Sequence, residues 1–556
     1  MKIRYLYALC MLGIVALFSS CSKTPDSAKL LDEESFLVVR IDTRQLLEKS
    51  GLAEDGKAKS ELKKLFKEEM GEDAKFFTNM IDEPEKIGIN FADPVFLAVS
   101  GDRDVEVRLV GSVADADIMT DFFKDVVKKA DLDNRVKEVD GYHCLILDYN
   151  NALVYDDSNF MIRSFDHELD DSDEEEIVDD VKNLFESRTE NDLLADDDFN
   201  EMCSRDGVAQ MLIRGKGVAE LKSSRDFERE LPDGCELKDI AMMFEMTVDK
   251  GEAVLTGEML PGSDAWKQFF EKNTAIYGDI KAEFAQYLSK ENGVVMANID
   301  GGKLFDLLSD AGVMEQIGRD DRRAVRDLLT AINGDIAIGL NDIRDLEDGD
   351  FNVSGYVSTS GNKLVDFICQ YFMSQGASEM LEKTGSDKYQ LVQRNWDGDI
   401  EMQLLFGYDK GASYFVFGGE DVSAFGKVKK AFQKSDIKGK GIYAFFNFGF
   451  LKNVAKDMSG QDKVFLDYLV SLLDYAEFYN EEGENGKLLF RLVVKDKDKT
   501  PIEVLFENCN KFLSDMMESQ RIEYEKYERM LEEVEEATED DEYAYTPDSV
   551  YTDSIY

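Results

Sequence analysis

Carboxylates are the most abundant side chains in this chain that can do chemistry, with 116 acidic residues against 65 basic ones. They are densest in the run DHELDDSDEEEIVDD from Asp166 to Asp180, which offers the hard oxygen ligands that calcium prefers. A calcium loop of the EF-hand type needs a glycine at its sixth position and a glutamate at its twelfth, and neither this run nor residues 131–141 has that spacing. We therefore expect a solvated loop that leads into a helix start, and we keep calcium-dependent adhesion as an alternative.

Catalytic motifs with a defined spacing are absent from the sequence: there is no Gly-x-Ser-x-Gly element, no Walker loop and no Rossmann fingerprint after a strand. His143 and His167 are the only histidines, which argues against a multi-histidine transition-metal site. Any two carboxylates can act as general acid and base, but in so acidic a chain such pairs arise by chance. We therefore predict no catalytic residue, no metal ligand and no cofactor. An envelope hydrolase whose carboxylates are brought together only by folding stays an alternative.

The two tryptophans have different sequence contexts. Trp266 opens a helical pattern that also carries Phe269 and Phe270, so we expect it to lie in the core. Trp396, in RNWDGD, stands beside a turn and is the better candidate for an exposed contact.

Cys21 is the residue with the most specific sequence context. Two basic residues, an apolar run over residues 6–18 and two serines precede it, which is the layout of a secretory signal. LFSSC at residues 17–21 resembles a bacterial lipobox, in which the signal is cut before the cysteine and that cysteine carries the lipid. We expect residues 1–20 to be a signal peptide and Cys21 to anchor the protein to a membrane, because each buried acyl methylene contributes about 0.8 kcal/mol. An ordinary signal peptide with an incidental cysteine is the alternative.

The residues after Cys21 indicate to which membrane, and to which side of it, the protein is sorted. Ser22 follows the cysteine, and this resemblance to lipoprotein sorting signals implies the outer membrane. The predicted tether, residues 21–29, has no acidic run of the kind seen in surface-exported lipoproteins of some Gram-negative groups. The periplasmic face is therefore favoured over the cell surface.

The remaining cysteines of the exported chain are widely spaced and form no Cys-x-x-Cys pair, which leaves a zinc knuckle or a thioredoxin-like site without support. Their number is odd and most of them stand in apolar segments, so we expect buried free thiols. They are Cys144, Cys203, Cys235, Cys369 and Cys509.

The formal charge of -51 sets limits on the partners. A negative field over most of the surface repels phosphate backbones, so nucleic acid is not an expected partner. The same field favours solubility, cations or basic peptides.

One local pattern recurs along the chain: an apolar strand that turns at once into a helix. Four segments share it, at residues 35–52, 206–221, 292–313 and 441–455. Asp42 and Asp300 align at the joint, where the shorter copies have Arg214 and Asn447. Because Asp and Asn side chains accept hydrogen bonds from free N–H groups at helix starts, we predict that Asp42 caps a helix rather than binds a ligand.

Each copy of this pattern is followed by two alternating strands and a helix with paired apolar residues, which predicts a unit of strand, helix, strand, strand, helix. The first and third units carry an additional hairpin, at residues 141–165 and 400–418. Helices grouped on one face of mainly antiparallel sheets make this an α+β fold with two homologous halves, joined by a polar helix around residues 278–293.

The predicted segments are the signal peptide 1–20, the tether 21–29, an N-terminal half 30–288 (units 30–200 and 201–288), a C-terminal half 289–518 (units 289–435 and 436–518), and a charged helix with an acidic disordered tail at 519–556.

The lipobox, the first strand and the repeat of that strand near mid-chain resemble a family of uncharacterised lipoproteins from Gram-negative anaerobes, described only as a domain of unknown function. The resemblance covers most of residues 20–515 and implies an envelope location. It brings no activity, substrate or functional residue with it.

We therefore predict a non-catalytic envelope lipoprotein, held to the membrane by Cys21, that binds a protein or other ligand in a cleft between the halves. A smooth apolar groove favours this reading, whereas a buried carboxylate pair favours the hydrolase.

Overall fold

The protein is described here by a computed structural model, which covers residues 24–70, 74–101, 105–130, 136–147, 150–165, 168–169, 173–186, 192–221, 224–229, 231–345, 350–374, 380–394, 398, 400–418, 425–426, 428, 430–480 and 486–539. Within these residues helices accompany antiparallel strands, so the predicted α+β class is confirmed at that level. Cys21 and Trp396 lie outside the described residues.

The strands in the described part of the chain are β1 Leu37–Ile41, β2 Val95–Ser100, β3 Glu106–Ser112, β4 Lys137–Val139, β5 Tyr142–Ile146, β6 Asn151–Tyr155, β7 Asn159–Ser164, β8 Ala209–Arg214, β9 Ile240–Asp249, β10 Glu252–Pro261, β11 Tyr277–Gly278, β12 Gly293–Asp300, β13 Ile332–Asp345, β14 Asp350–Thr359, β15 Leu381–Gly385, β16 Lys388–Arg394, β17 Ile400–Asp409, β18 Ala412–Gly418, β19 Ile442–Asn447, β20 Leu473–Asn480 and β21 Lys487–Val494.

The α-helices in the same residues are α1 Thr43–Ser50, α2 Lys57–Met70, α3 Ala74–Asp82, α4 Ala116–Ala130, α5 Glu174–Glu186, α6 Asp197–Ser204, α7 Gly215–Glu220, α8 Ser224–Glu228, α9 Asp264–Thr274, α10 Gly301–Asp310, α11 Arg319–Leu329, α12 Lys363–Ser374, α13 Lys434–Ile437, α14 Leu451–Asp457, α15 Gly460–Leu472 and α16 Pro501–Glu539. In the described residues β1, β8, β12 and β19 are each followed by two or three helices, then by two strands and a helix. The predicted order is therefore present with additional helices after the first strand of each unit.

All of these strands belong to one sheet, and every pairing between them is antiparallel. Across the sheet the order is β4-β5-β6-β7-β3-β2-β1-β8-β9-β10, and then β21-β20-β19-β12-β13-β14-β18-β17-β16-β15. The short strand β11 extends the same side of β12 that β19 occupies. The two series meet where Glu252–Glu258 of β10 pair with Lys487–Val493 of β21, and we call this pair the seam.

The sheet has two faces, which we call the front face, on which Val295 lies, and the back face, on which Arg491 lies. In the N-terminal series both faces of the sheet are covered. In β6, for example, the successive residues Ala152–Tyr155, whose side chains point to the two faces in turn, are all buried. Helices α1 to α4 contribute to the front core and α5 and α6 to the back core. The prediction of helices on one face only is therefore wrong.

Residues 278–293 do not form the predicted polar helix. They contain the end of β11 and a 3-10 turn at Ala285–Tyr287, and Ile280, Phe284 and Leu288 are buried on the back face. The carboxylate of Asp335 accepts the backbone N–H groups of Lys281 and Glu283 at 2.9 and 3.2 Å. These bonds hold the segment in a non-helical form because they take N–H groups that a helix would use otherwise.

Candidate functional site

A single row of apolar residues crosses thirteen strands on the front face. Each member is the direct cross-strand partner of the next, so their side chains lie on the same side of the sheet. In order across the sheet they are Phe406, Phe415, Gly355, Ile338, Val295, Ala444, Phe478, Phe490, Leu255, Met246, Ala209, Ile41 and Val95.

Intramolecular helices cover both ends of this row. At one end Phe406 and Phe415 pack with Val365 and Cys369 of α12. At the other end Val95 and Ile41 belong to a cluster that includes Phe122, Phe123 and Val127 of α4. Amphipathic helices are therefore what the chain itself places on this face.

The centre of the row has no such cover. Val295 is 53% exposed, Ile338 43%, Phe490 41%, Leu255 41% and Phe478 36%. Together with Ala444, these residues form what we call the apolar floor. Part of it lines a groove of about 450 Å³ whose other walls include Leu340, Val353 and Phe446. This volume lies in the range of ordinary ligand sites.

The local sequence explains why the floor is apolar although it is exposed. In β12 the run Val294, Val295, Met296 has no polar residue, so both faces of the strand carry apolar side chains. Val294 and Met296 are 3% and 2% exposed in the back core, whereas Val295 points to the front. A strand that is apolar on both faces is typical of a sheet that is covered on both sides.

The backbone of the floor offers little to a polar ligand. Its strands are interior strands of the sheet, with β12, β19, β20, β21 and β10 each paired on both sides. Glu477 contributes to the groove, but its carboxylate lies on the back face, where it accepts hydrogen bonds from Tyr443 and Arg491. The floor therefore recognises apolar surface and shape.

The back face at the centre of the sheet is polar instead. Arg491 donates to Glu252 at 2.9 Å and to Glu477 at 3.1 Å, and so connects both strands of the seam with β20. Lys440 lies 4.3 and 4.0 Å from the ring centroids of Tyr443 and Tyr479, and burial lowers its pKa. Burial, together with Glu477, raises the pKa of the Tyr443 phenol. These groups satisfy one another, which is a structural role.

A family of known proteins matches almost the whole of this architecture. A family model described as "Domain of unknown function (DUF4836)" covers residues 28–501. The chain belongs to this family. No curated protein and no solved structure matches the chain. Membership of the DUF4836 family thus indicates how far along the chain the fold extends. It assigns no activity, so the function is inferred from the site.

A second groove, of about 700 Å³, runs between α15 and α16. Its walls carry side chains of both charges, such as Lys463, Lys526, Asp467 and Asp515, beside Tyr468 and Phe512. Because charges of both signs are mixed along its walls, the groove presents no convergent set of polar groups for a ligand. The apolar floor is therefore the better candidate site of this DUF4836 protein.

Three of the four strand-to-helix joints carry a capping side chain. Asp42 caps α1 by accepting from the Gln45 N–H at 3.0 Å, which confirms the predicted cap. Asp300 caps α10 through Gly302 and Lys303, and Asn447 accepts from the Gly449 N–H. Arg214 makes no cap; its guanidinium binds Asp196 and the carbonyl oxygens of Glu33 and Ser35.

The thiols of the described residues are all free. Cys144, Cys203 and Cys369 are buried, and Cys235 and Cys509 are half-buried. Burial raises the pKa of Cys144 to about 12 and that of Cys203 to about 11, so neither thiol supplies a nucleophile near neutral pH.

The other residues considered for sites are also placed. Trp266 is 6% exposed and its indole donates to the Glu236 carbonyl at 2.8 Å, so the prediction of a core tryptophan is confirmed. The acidic run is described in part: Glu174, Glu175 and Glu176 form the first turn of α5, and Glu174 pairs with Lys137 at 2.8 Å. Within the described residues no group of three His, Cys, Asp or Glu side chains is arranged to hold a metal ion.

None of the helices in the described part of the chain combines the length and the apolar character that a bilayer span requires.

Proposed function

We propose that this protein is a non-catalytic lipoprotein of the cell envelope that binds an amphipathic helix of a partner protein on its apolar floor. The observation that carries the proposal is the row of cross-strand residues that α4 and α12 cover at its ends and nothing in the described chain covers at its centre. A helix on this face would bury Val295, Ile338 and Phe490, each contributing roughly 1 to 2 kcal/mol for the area removed from water.

Charge complementarity supports a helix with a basic polar face. The chain carries a net charge of -51, which gives the surface as a whole a negative field. A partner whose polar face bears Lys or Arg would be attracted to this surface, and an acidic one repelled.

Lipid anchorage at Cys21 on the periplasmic side of the outer membrane is the second part of the proposal, and it rests on the sequence context of that cysteine. A Cys21→Ser variant would leave the membrane fraction and appear in the soluble one.

The proposal also takes the two series of strands to be copies of one ten-strand half. The support is that the order β4-β5-β6-β7-β3-β2-β1-β8-β9-β10 corresponds, element by element, to β15-β16-β17-β18-β14-β13-β12-β19-β20-β21. The seam then brings together the last strand of each copy.

Helix binding is tested with a synthetic peptide of about 18 residues, long enough for a helix to form on a surface, made of Leu and Lys at amphipathic spacing. We expect binding by fluorescence anisotropy, and about a tenfold loss, or ~1.4 kcal/mol, with Val295→Gln combined with Phe490→Gln. The matched control is Thr247→Gln, at an exposed position of the back face in β9.

Four comparisons make the test specific. The same peptide with Glu for Lys should bind more weakly, and a Leu/Lys peptide of scrambled order should not bind at the floor. If Thr247→Gln and the floor variant lost peptide affinity equally, the peptide would be attracted by the charge of the surface in general and would not bind at the floor. Binding of a fatty acid at the floor in place of the helical peptide would overturn the choice of occupant.

A further inference from the structure

We infer that the second half of α16 docks a helix of a partner protein, which pairs with it as a two-stranded coiled coil and carries Lys or Arg beside its apolar side. This surface is separate from the apolar floor, because none of its residues lines the groove there. The inference therefore goes beyond the proposed function and does not depend on it.

A regular apolar stripe runs along this half of the helix. Its members follow one another at alternating intervals of four and three residues, so that two fall in every seven. In order they are Leu513, Met517, Gln520, Tyr524, Tyr527, Leu531 and Val534, and we call them the α16 stripe. Such a repeat over three heptads is typical of a helix that packs in a coiled coil, where a single polar member such as Gln520 fixes the register.

The stripe is exposed although it is apolar. Leu513 is 37% exposed, Met517 47%, Tyr524 63%, Tyr527 57% and Leu531 47%. Single exposed apolar residues are normal on a protein surface, but a row of them on one side of a helix marks an interaction site.

The first half of α16 shows which kind of element covers this side of the helix. Phe506 and Cys509 precede Leu513 at the same spacing of three and four residues, which places them on the same side. Both pack against the front core, to which α2 contributes, and α2 lies alongside α16. The chain itself therefore places a helix on the beginning of this side.

Helix α2 is too short to cover the α16 stripe. Near its start Lys57 lies 3.6 Å from Glu507, and the charge of Glu61 adds to burial in raising the pKa of the Cys509 thiol. The two helices consequently run side by side in the same direction. Because α2 has 14 residues and α16 has 39, α2 accompanies only the first half of α16.

Helix α15 also ends before the middle of the stripe. It runs antiparallel to α16, with the ring of Tyr468 stacked on Phe512 and a Cβ on Gly460 overlapping the carboxylate of Glu523. Gly460 is the first residue of α15, so this helix does not extend past the level of Tyr524. A partner helix would continue the cover that α2 begins.

The charges beside the stripe select a basic partner. Residues 518–539 include nine glutamates and three basic residues. Glu523 precedes Tyr524 and Glu528 follows Tyr527, and these are the two positions that meet the opposing helix beside a coiled-coil core. In a parallel pair of two copies, Glu523 of one helix would face Glu528 of the other, and like charges repel. Lys or Arg at these places of a different chain would form ion pairs instead.

Ion pairs within the helix stabilise this half before a partner binds. Arg521 lies 2.6 Å from Glu518 and also pairs with Glu525, at spacings of three and four residues. A docking helix then meets a preformed surface, which reduces the ordering that binding requires.

The inference can be tested with a synthetic peptide of about four heptads, with Leu at both core positions and Lys at both flanking positions, whose lysines keep it from pairing with itself. Its binding to the full-length protein is measured by fluorescence anisotropy. We expect binding, and at least about a tenfold loss of affinity with Tyr524→Gln combined with Leu531→Gln. The matched control is Ile522→Gln, an apolar residue of the same helix that is 40% exposed and lines the groove towards α15; it should leave the affinity unchanged.

Exchange of charges makes the test specific for the stripe. Glu523→Lys combined with Glu528→Lys should weaken binding of the Lys peptide several-fold and strengthen binding of the same peptide with Glu in place of Lys. General attraction to an acidic surface does not predict the second result, because the variant protein stays acidic as a whole.

Three results would overturn the inference. The first is no binding of the Lys peptide to the native protein, or an equal loss with Ile522→Gln. The second is a dimer of the protein alone in sedimentation velocity that Tyr524→Gln with Leu531→Gln dissociates, because the occupant would then be a second copy. The third is a loss of affinity for this peptide with Val295→Gln and Phe490→Gln, which would place the peptide on the floor and support the proposed function alone.

Discussion

Asp42 and Asp300 cap equivalent helices in different surroundings. Asp300 is exposed, whereas Asp42 is 5% exposed and its carboxylate lies 3.7 Å from the guanidinium of Arg40, which is itself buried. A cap alone accepts Asn as well as Asp, but a buried arginine also needs the charge.

We therefore predict that Asp300→Asn changes the free energy of unfolding little and Asp300→Ala lowers it by about 1 kcal/mol. Asp42→Asn should cost about 2 kcal/mol, because the buried Arg40 loses its charged partner and keeps, among the residues that the structure describes, its bond to Gln210. Urea unfolding of the three variants measures this. A cost for Asp42→Asn as small as that for Asp300→Asn would show that the Arg40 contact is not stabilising.

Burial of Tyr155 makes the free energy of unfolding depend on pH in the alkaline range. Its side chain is fully buried, its hydroxyl lies 2.7 Å from that of Thr120, and burial raises its pKa to about 12. The phenol ionises near pH 10 in the unfolded chain and only near pH 12 in the folded one, so its stabilising contribution is present below pH 10 and is lost between pH 10 and 12.

We predict that the free energy of unfolding falls by about 2.5 kcal/mol through this one group over that interval. Tyr155→Phe should be less stable at pH 7 by about 1 kcal/mol, from the lost hydrogen bond, and should depend less on pH above 10. The measurement is urea unfolding at several pH values, with Tyr524→Phe, which is 63% exposed, as the control. Parallel pH curves for Tyr155→Phe and the native chain would contradict the assignment.

The sequence predicts those residue roles that depend on near neighbours. An aspartate between an apolar strand and a helical pattern indicates a cap, and both Asp42 and Asp300 are caps. Besides Asp42, Arg40 contacts Gln210, which lies 170 residues further along the chain, and no local pattern indicates this second pair.

At the scale of elements, the joint between β12 and α10 depends on a glycine. A Cβ on Gly301 would overlap the carbonyl oxygen of Leu329, where α11 ends. Gly302, one residue later, has more room, since its Cβ would lie 3.2 Å from the side chain of Asp300.

Gly301→Ala should therefore lower the free energy of unfolding by about 3 kcal/mol, because two backbones must move apart. Gly302→Ala should be neutral or slightly stabilising, since alanine favours the helix. Thermal unfolding of the two variants measures the difference. Equal changes in stability would mean that α11 moves away from a Cβ at residue 301 without loss of stability.

Alternation along β12 gives a second test at this scale. Val294→Ala should cost about 2 kcal/mol, because it leaves a cavity in the back core. Val295→Ala should change stability by less than about 0.5 kcal/mol, since the side chain is half exposed, yet weaken binding of the Leu/Lys peptide. A large loss of stability for Val295→Ala would indicate that the floor is covered in solution.

The alternation of residues predicts the strands, but it does not predict which face of each strand other parts of the chain cover. The run Val294, Val295, Met296 predicts a strand that is apolar on both faces, and the sequence contains no sign that only the back face is packed. The polar helix predicted at residues 278–293 is wrong because Asp335, a residue outside the segment, takes its N–H groups.

For the molecule as a whole, two connections join the two series of strands: the seam, and the packing of Phe506 and Cys509 of α16 in the front core beside α2. Leu489 of β21 pairs with Thr256 across the seam and with Tyr479 on its other side, and it is 7% exposed. Proline at this position removes a backbone donor from the middle of the sheet.

We predict one calorimetric transition for the native chain and two for Leu489→Pro combined with Phe506→Ser, because the series then lose both their shared strand pair and the packing of α16 in the N-terminal front core. Val416→Pro, in the middle of β18 and far from the seam, should lower the transition temperature without separating the N-terminal series from the sheet. Two transitions in the native chain would show that the seam does not couple the series.

The strand order could be predicted only in part. The repeated pattern indicates four similar units, and the order of elements within each unit follows from it. The seam joins residues 252–258 to residues 487–493, and neither hairpin carries a signal that names the other as its partner. The apolar floor, which depends on this union, is consequently not visible in the sequence.

The seam also limits the size of the assembly. It joins β10 to β21, the corresponding last strands of the two series, so each series uses the same edge to bind the other. An arrangement of this isologous kind is closed after two members, whereas head-to-tail repeats can be extended without limit. The outer edges are β4, with Lys137 and Glu138, and β15, with Glu382 and Lys383, and charged residues on edge strands discourage further pairing. A further strand could pair only with one of these two charged edges, so the sheet ends at β4 and β15.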